Sequence, residues 1–217
     1  MIIELPKKFY YQGNDKSCFA YVSDGMLKIH GHISFRSLMY SITYALKGDN
    51  RCYYCKMPVS ELTMDHMFPQ DLGGPTIPNN LLPACAKCNG EKSNLTYFEY
   101  IKYLKKKGST KKAKYYDKCM AEKEDLKRKK KYQIPDKWIE KKPISKILMT
   151  VDTEITTRGN KYAKIHNFYT TYGFFPKTVV VDKNNFLLDG ALILFYAKNE
   201  GITNVPVIKL ENVEVIL

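Results

Sequence analysis

Cys52-Tyr53-Tyr54-Cys55, then Asp65-His66, Gly73-Gly74 and Asn79-Asn80-Leu81, then Cys85-Ala86-Lys87-Cys88-Asn89-Gly90-Glu91-Lys92, is the stretch that decides how this chain is read. A two-residue gap lets both sulfurs of a Cys-x-x-Cys knuckle reach the same ion, so two knuckles can place four thiolates tetrahedrally around Zn²⁺. The 29 residues between Cys55 and Cys85 exceed the ~15–20 of a plain zinc ribbon. Something is therefore folded between the knuckles, and it holds the only adjacent Asp-His pair in the chain.

The pattern resembles the HNH (His-Me finger, ββα-metal) endonuclease family, in its subgroup with a structural zinc. The family reads Cys-x-x-Cys, Asp-His on a first strand, Asn-Leu before the second knuckle, then Asn-x-x-Lys opening a helix. Cys52, Cys55, Asp65, His66, Asn80, Leu81, Cys85, Cys88, Asn89 and Lys92 fill those places. The resemblance implies a phosphodiester hydrolase leaving 5′-phosphate and 3′-hydroxyl ends. Such chemistry needs an activated water, charge neutralisation at phosphorus and help for the departing oxygen. A neutral imidazole accepts a proton near physiological pH, which suits His66 as general base. Asp65 and Asn89 offer hard oxygens that favour Mg²⁺ or Mn²⁺ over Zn²⁺. Asp65, His66 and Asn89 are thus expected to converge on one cation. By resemblance, Asn80 would hold the backbone of the strand carrying His66 and so orient its ring. Lys92, one turn beyond Asn89, would reach a phosphate. Zinc on Cys52, Cys55, Cys85 and Cys88 would be structural.

The formal charge of +13 is unevenly placed. Residues 102–142 hold 17 basic and 6 acidic side chains, whereas 1–101 hold 10 and 9 and 143–217 hold 8 and 7. That concentration points to a polyanion-contacting segment. Lys105, Lys106, Lys107, Lys111, Lys112, Lys127, Arg128, Lys129, Lys130 and Lys131 are its candidate contacts with DNA. Tyr115, Tyr116, Cys119, Met120 and Leu126 allow a helix with one modest apolar face, after a break at Gly108-Ser109.

Upstream, Asp24-Gly25 between two apolar runs predicts a hairpin with a type I′ turn. Ser34 reads as an N-cap to a helix through Phe35, Leu38, Met39, Ile42 and Leu46, ended by Gly48. One helix is expected from about Cys88-Asn89 through Ile101. His30 and His32 share a strand face without a third ligand and read as surface histidines. Cys18 reads as a small buried residue and Cys119 as a bystander on a basic helix.

Downstream, strands are expected at Ile147–Val151, Thr178–Asp182 and Phe186–Leu188 and finally at Val205–Leu210, with helices over Ala163–Tyr172 and Ala191–Glu200. Phe175-Pro176 through Asp182, Leu188-Asp189-Gly190 and Val205-Pro206-Val207 resemble the ParB-like/sulfiredoxin-like fold. The family's phosphate-gripping Arg is absent, its place taken by Ile193, so Asp189-Gly190 reads as a turn and nucleotide hydrolysis is not expected.

The fold class expected is α+β. A ββα-metal nuclease domain with zinc knuckles occupies 1–101, a Lys-rich helical linker 102–142, and a small α/β ParB-like domain 143–217. The function expected is metal-dependent DNA cleavage. The alternatives are an RNA-cleaving HNH nuclease and a non-catalytic, partition-like DNA-binding regulator. The N-terminus lacks the build of a signal peptide and no apolar run approaches ~20 residues, so a cytoplasmic protein, nucleoid-associated or phage-encoded, is expected. A phage or mobile-element enzyme, a defence nuclease and a repair factor would share these features.

Overall fold

The computed structural model describes residues 1–149 and 159–216. The chain opens with three antiparallel strands, β1 (Tyr10–Gln12), β2 (Phe19–Ser23) and β3 (Met26–His30). The β2–β3 turn places Asp24 at φ 52° and Gly25 at φ 72°, the double left-handed geometry of a type I′ turn. Helix α1 (Phe35–Lys47) follows, and the Ser34 hydroxyl caps it by accepting from the Ser37 N–H. Its apolar stripe, Phe35, Leu38, Met39 and Ile42, is buried.

The knuckle region folds as a small ββα unit. Strand β4 (Thr63–His66) pairs antiparallel with β5 (Leu81–Ala84), placing His66 opposite Leu81, and α2 (Ala86–Lys92) follows. The single helix expected here is two. Ser93 adopts φ 48° and stops α2. Thr96 and Glu99 then form a capping box that starts α3 (Tyr97–Leu104). The Lys-rich stretch forms α4 (Ser109–Arg128), whose one buried line, Cys119 and Lys123, packs on α3 and the knuckles.

The second sheet has the order β6 (Glu140–Pro143), β9 (Asn204–Lys209), β7 (Val179–Val181), β8 (Leu187–Asp189), with α5 (Gly159–Tyr172) and α6 (Ala191–Asn199) packed on it. Only part of the strand expected at Ile147–Val151 lies among the described residues. There Leu148 makes a single bridge to Phe186 after a short 3-10 turn at Ile144–Lys146. A strand not foreseen, β10 (Val213–Ile216), crosses back and pairs parallel with β3. The two ends of the chain interlock there, because Asn212 binds the N–H and C=O of Ile3 and the Met1 ammonium donates to the Lys209 carbonyl. One core results, in which Ile3, Leu27 and Leu38 meet Ile77 and Leu81 of the ββα unit and Val180, Ile208 and Val213 from the C-terminal part.

Candidate active site and zinc knuckles

The sulfurs of Cys52, Cys55, Cys85 and Cys88 all lie within 4.8 Å of one another. Tight local geometry brings them there. The first knuckle turns through Lys56 at φ 62°, and its Tyr53 N–H is anchored on the Pro83 carbonyl of β5. Cys85 sits at the N-cap of α2 with its sulfur accepting from the Cys88 N–H. Burial opposes ionisation of Cys52, but backbone hydrogen bonds at Cys55, Cys85 and Tyr54 outweigh it and bring the thiol to about 7. Burial pushes the Cys88 thiol up. Four thiols in this arrangement have the ligand set and spacing of a zinc-knuckle site, and a divalent ion would favour all four as thiolates.

The β4–β5 hairpin lies between two cores, and the alternation of β4 divides the candidate residues between them. Thr63 and Asp65 face α2 and the knuckles. Met64 and His66 face the core that α1 shares with the C-terminal sheet. Asn89, on α2, donates its Nδ2 to Thr63 Oγ1 at 3.0 Å and so stands on the Asp65 side. The structure therefore brings Asp65 and Asn89 to one face of β4 and turns His66 to the other. The convergence read from the sequence ignored that consecutive strand residues point in opposite directions.

Asp65 is 3% exposed and both its oxygens are engaged. Lys92 Nζ donates to Oδ1 at 3.0 Å, and the Tyr54 hydroxyl donates to Oδ2. Lys92 Nζ also donates to the His66 carbonyl at 2.8 Å. Burial pushes the Asp65 carboxyl up and the Lys92 ammonium down, and each partner's charge opposes the shift of the other. The phosphate contact expected of Lys92 is corrected here. At 1% exposure its ammonium is spent inside the module on Asp65 and the strand end.

His66 Nε2 lies 3.1 Å from Thr76 Oγ1, which also accepts from Gln70 Nε2 at 3.0 Å. Burial, reinforced by the positive charges of Arg36, Lys177 and Lys92, lowers the His66 pKa to about 4, so the ring is neutral at physiological pH. Asn80, fully buried, accepts from the Phe68 N–H at 2.9 Å and donates to the carbonyls of Phe68 and Pro75. It thereby cross-braces the loop from His66 to Thr76. Gly74 is required in that loop, because a Cβ there would lie 1.9 Å from the Phe68 carbonyl oxygen. Thr76 and Gln70 have no signature in the sequence, since only the folded loop brings them to the ring.

Along the basic segment, Lys105, Lys106, Lys107, Lys111, Arg128, Lys130 and Lys131 are exposed. Lys112 reaches Glu91 and lies over the Tyr103 ring, Lys127 pairs with Glu124 within α4, and Lys129, just past the helix end, pairs back with Asp125. Cys119, expected as a bystander, is 2% exposed, and Cys18 is only half-buried. Asp189 accepts from the Gly190 N–H, and Ile193 is buried in the core beneath α6.

Residues 52–95 match the family model described as HNH endonuclease. They form an HNH domain. It comprises both knuckles, the β4–β5 hairpin and α2, and covers about a fifth of the 217 residues. No curated protein and no solved structure matches the chain. The ParB-like resemblance of the C-terminal part gains no support from these comparisons. Among the described residues, no helix is long and apolar enough to cross a membrane.

Proposed function

We propose that this protein is a metal-dependent DNA endonuclease that hydrolyses phosphodiester bonds to 5′-phosphate and 3′-hydroxyl ends, with His66 as general base. The observation that carries the reading is the state of His66 within an HNH domain: a neutral imidazole whose Nε2 is held by Thr76. Thr76 Oγ1 has two lone pairs, so it can accept from Gln70 and from an Nε2–H of His66 together. That leaves the lone pair on Nδ1 to take a proton from water. Asn80 acts as a positioning residue by fixing the loop that carries Thr76.

Asp65 and Asn89 present oxygen donors on one face of β4, and Asn89 Oδ1 is left over after Nδ2 binds Thr63. This donor set suits Mg²⁺ or Mn²⁺ in chemistry, provided Lys92 yields Asp65 Oδ1 to the incoming ion. Bound there, on the face of β4 opposite the His66 ring, the ion would neutralise charge and ease departure of the 3′-oxygen only for a phosphate that spans the end of β4. The exposed lysines from Lys105 to Lys131 supply sequence-independent affinity for the DNA backbone, and the C-terminal part serves recognition or assembly.

The Lys92 cap on Asp65 is the one observation that favours another class, a DNA-binding regulator that does not cleave. Plasmid nicking in Mg²⁺ by the native protein and by His66→Ala separates the two. Loss of nicking in the variant and with EDTA supports the nuclease, and no nicking by either supports the regulator. Structured RNA in the same assay decides between the two nucleic acids.

A further inference from the structure

Resting on the nuclease reading, we infer that Tyr53 of the first knuckle and Phe98 of α3, joined through Tyr97, form a platform on which unpaired bases of single-stranded DNA stack beside the cut. Ring contacts bring the three together. Tyr97 meets Tyr53 edge-on with centroids 6.1 Å apart, and meets Phe98 in the same way at 5.2 Å. Tyr97 leans on the core beneath the knuckles, whereas Tyr53 and Phe98 belong to none of the buried clusters. Tyr53 is 38% exposed and Phe98 66% exposed. A single exposed aromatic is ordinary, but two held side by side by a third make a contiguous patch that the fold itself does not use.

The charge around these rings is positive and uncommitted. Lys56 Nζ lies 4.4 Å from the centroid of the Tyr53 ring. Lys102 and Lys105 follow Phe98 one and two turns on, along its side of the helix. All three lysines are exposed, and among the described residues none has a carboxylate within 4.0 Å. Glu99, the one acid of α3, is turned to Lys123 and the Thr96 N–H. Lysines beside open aromatic rings fit a polyanion that also presents flat faces, which is a nucleic-acid strand. A duplex shows these rings only base edges, so stacking calls for bases outside the helix. The patch is continuous with the Asp65 face of β4. Tyr54 donates its hydroxyl to Asp65, and its ring lies 6.1 Å from that of Tyr97. The Tyr97 N–H donates to the carbonyl of Met67, one residue past His66. A strand cut at the end of β4 would therefore lay its flanking bases across Tyr53 and Phe98, with its phosphates on Lys56, Lys102 and Lys105.

The test is equilibrium binding of the full chain, by fluorescence anisotropy, to a short labelled oligo(dT) and to a duplex of equal length. Mg²⁺ is left out so that no strand is cut. Phe98→Ala and Tyr53→Ala are each expected to weaken oligo(dT) binding by about 5–150-fold, the range for losing one stacked base, and duplex binding by less than about 3-fold. Phe98→Trp should bind as the native protein does and Phe98→Leu as Phe98→Ala does, which separates stacking from plain apolar contact. Phe98 is exposed and outside every core, so these variants keep the fold. Ring-dependent oligo(dT) binding by a native protein that nicks no plasmid in Mg²⁺ would sink the nuclease reading and uphold the platform. Oligo(dT) affinity within about 3-fold of native in Phe98→Ala, equal losses on the duplex, or full binding by Phe98→Leu overturns the platform. So does sedimentation showing a native dimer that Phe98→Ala splits, because the patch would then be a contact between two copies of the chain.

Discussion

Lys92 Nζ sits 3.0 Å from Asp65 Oδ1, with the lysine 1% exposed and the aspartate 3% exposed. This pair ties α2 to the end of β4, and the second bond from Nζ to the His66 carbonyl fixes where the strand stops. Removing one partner leaves an uncompensated charge in the interior. Asp65→Asn is therefore expected to destabilise the fold by about 3–5 kcal/mol, and Asp65→Asn/Lys92→Met by clearly less. Urea unfolding measures both, and equal losses in the two variants would contradict the pairing. Lost activity in Asp65→Asn alone consequently cannot assign a metal ligand, whereas Asn89→Ala offers a cleaner probe because it removes only one side-chain bond, to Thr63.

Chelating the knuckle metal should loosen the HNH domain. The segment from Cys52 to Cys88 closes around the four sulfurs, and its small core leans on the cluster. One zinc per chain is expected by metal analysis. Cys55→Ser, at an exposed ligand, should lower metal content and the melting temperature together. An unchanged melting temperature after metal loss would count against a structural ion.

The pH profile follows from His66. Its folded pKa, lowered to about 4 by burial first and by Arg36, Lys177 and Lys92 next, lies below the ordinary imidazole value. The neutral base is therefore present across the physiological range, and kcat/KM should hold on acidification until pH approaches about 4. The unfolded state takes up its proton first, so the stability this site contributes is complete above the unfolded value and is lost as pH falls from there through the folded one. A rate that halves near pH 6.5 would mean that the acting imidazole sits in ordinary solvent.

The clustering of the four cysteines was readable from spacing, as were two local features of the fold. Paired knuckles, Asp24-Gly25 and the Ser34 cap each act through local geometry, which a sequence displays directly. Features that depend on distant partners were hidden. The pairing of β10 with β3 needs both chain ends folded, and the Thr76 contact to His66 exists only once Asn80 has braced the loop. The break at Ser93 escaped because Glu99, which starts the next helix, also suits a helix interior. Lys92 was misread because its spacing from Asn89 is the same whether the ammonium reaches a phosphate or turns inward.

Salt dependence probes the basic segment. Replacing Lys105, Lys106 and Lys107 by Ala should weaken binding alike on unrelated DNA sequences, and flatten the slope of log K against log salt by about 0.9 for each phosphate no longer neutralised. These side chains are exposed, so stability should stay put. An unchanged slope would place the DNA track elsewhere.

Thr76→Val removes the atom that holds Nε2 while keeping the shape of the side chain. A fall in kcat of about 10–100-fold with KM nearly unchanged is expected, because the ring would lose its aim and not its charge state.

The most direct measurement is the initial rate of supercoiled-plasmid nicking in Mg²⁺ by the native protein and by His66→Ala at matched stability. The account predicts cleavage by the native protein, abolished by EDTA and reduced by about 10³-fold or more in the variant. Equal rates for the two proteins would contradict it, as would cleavage indifferent to EDTA.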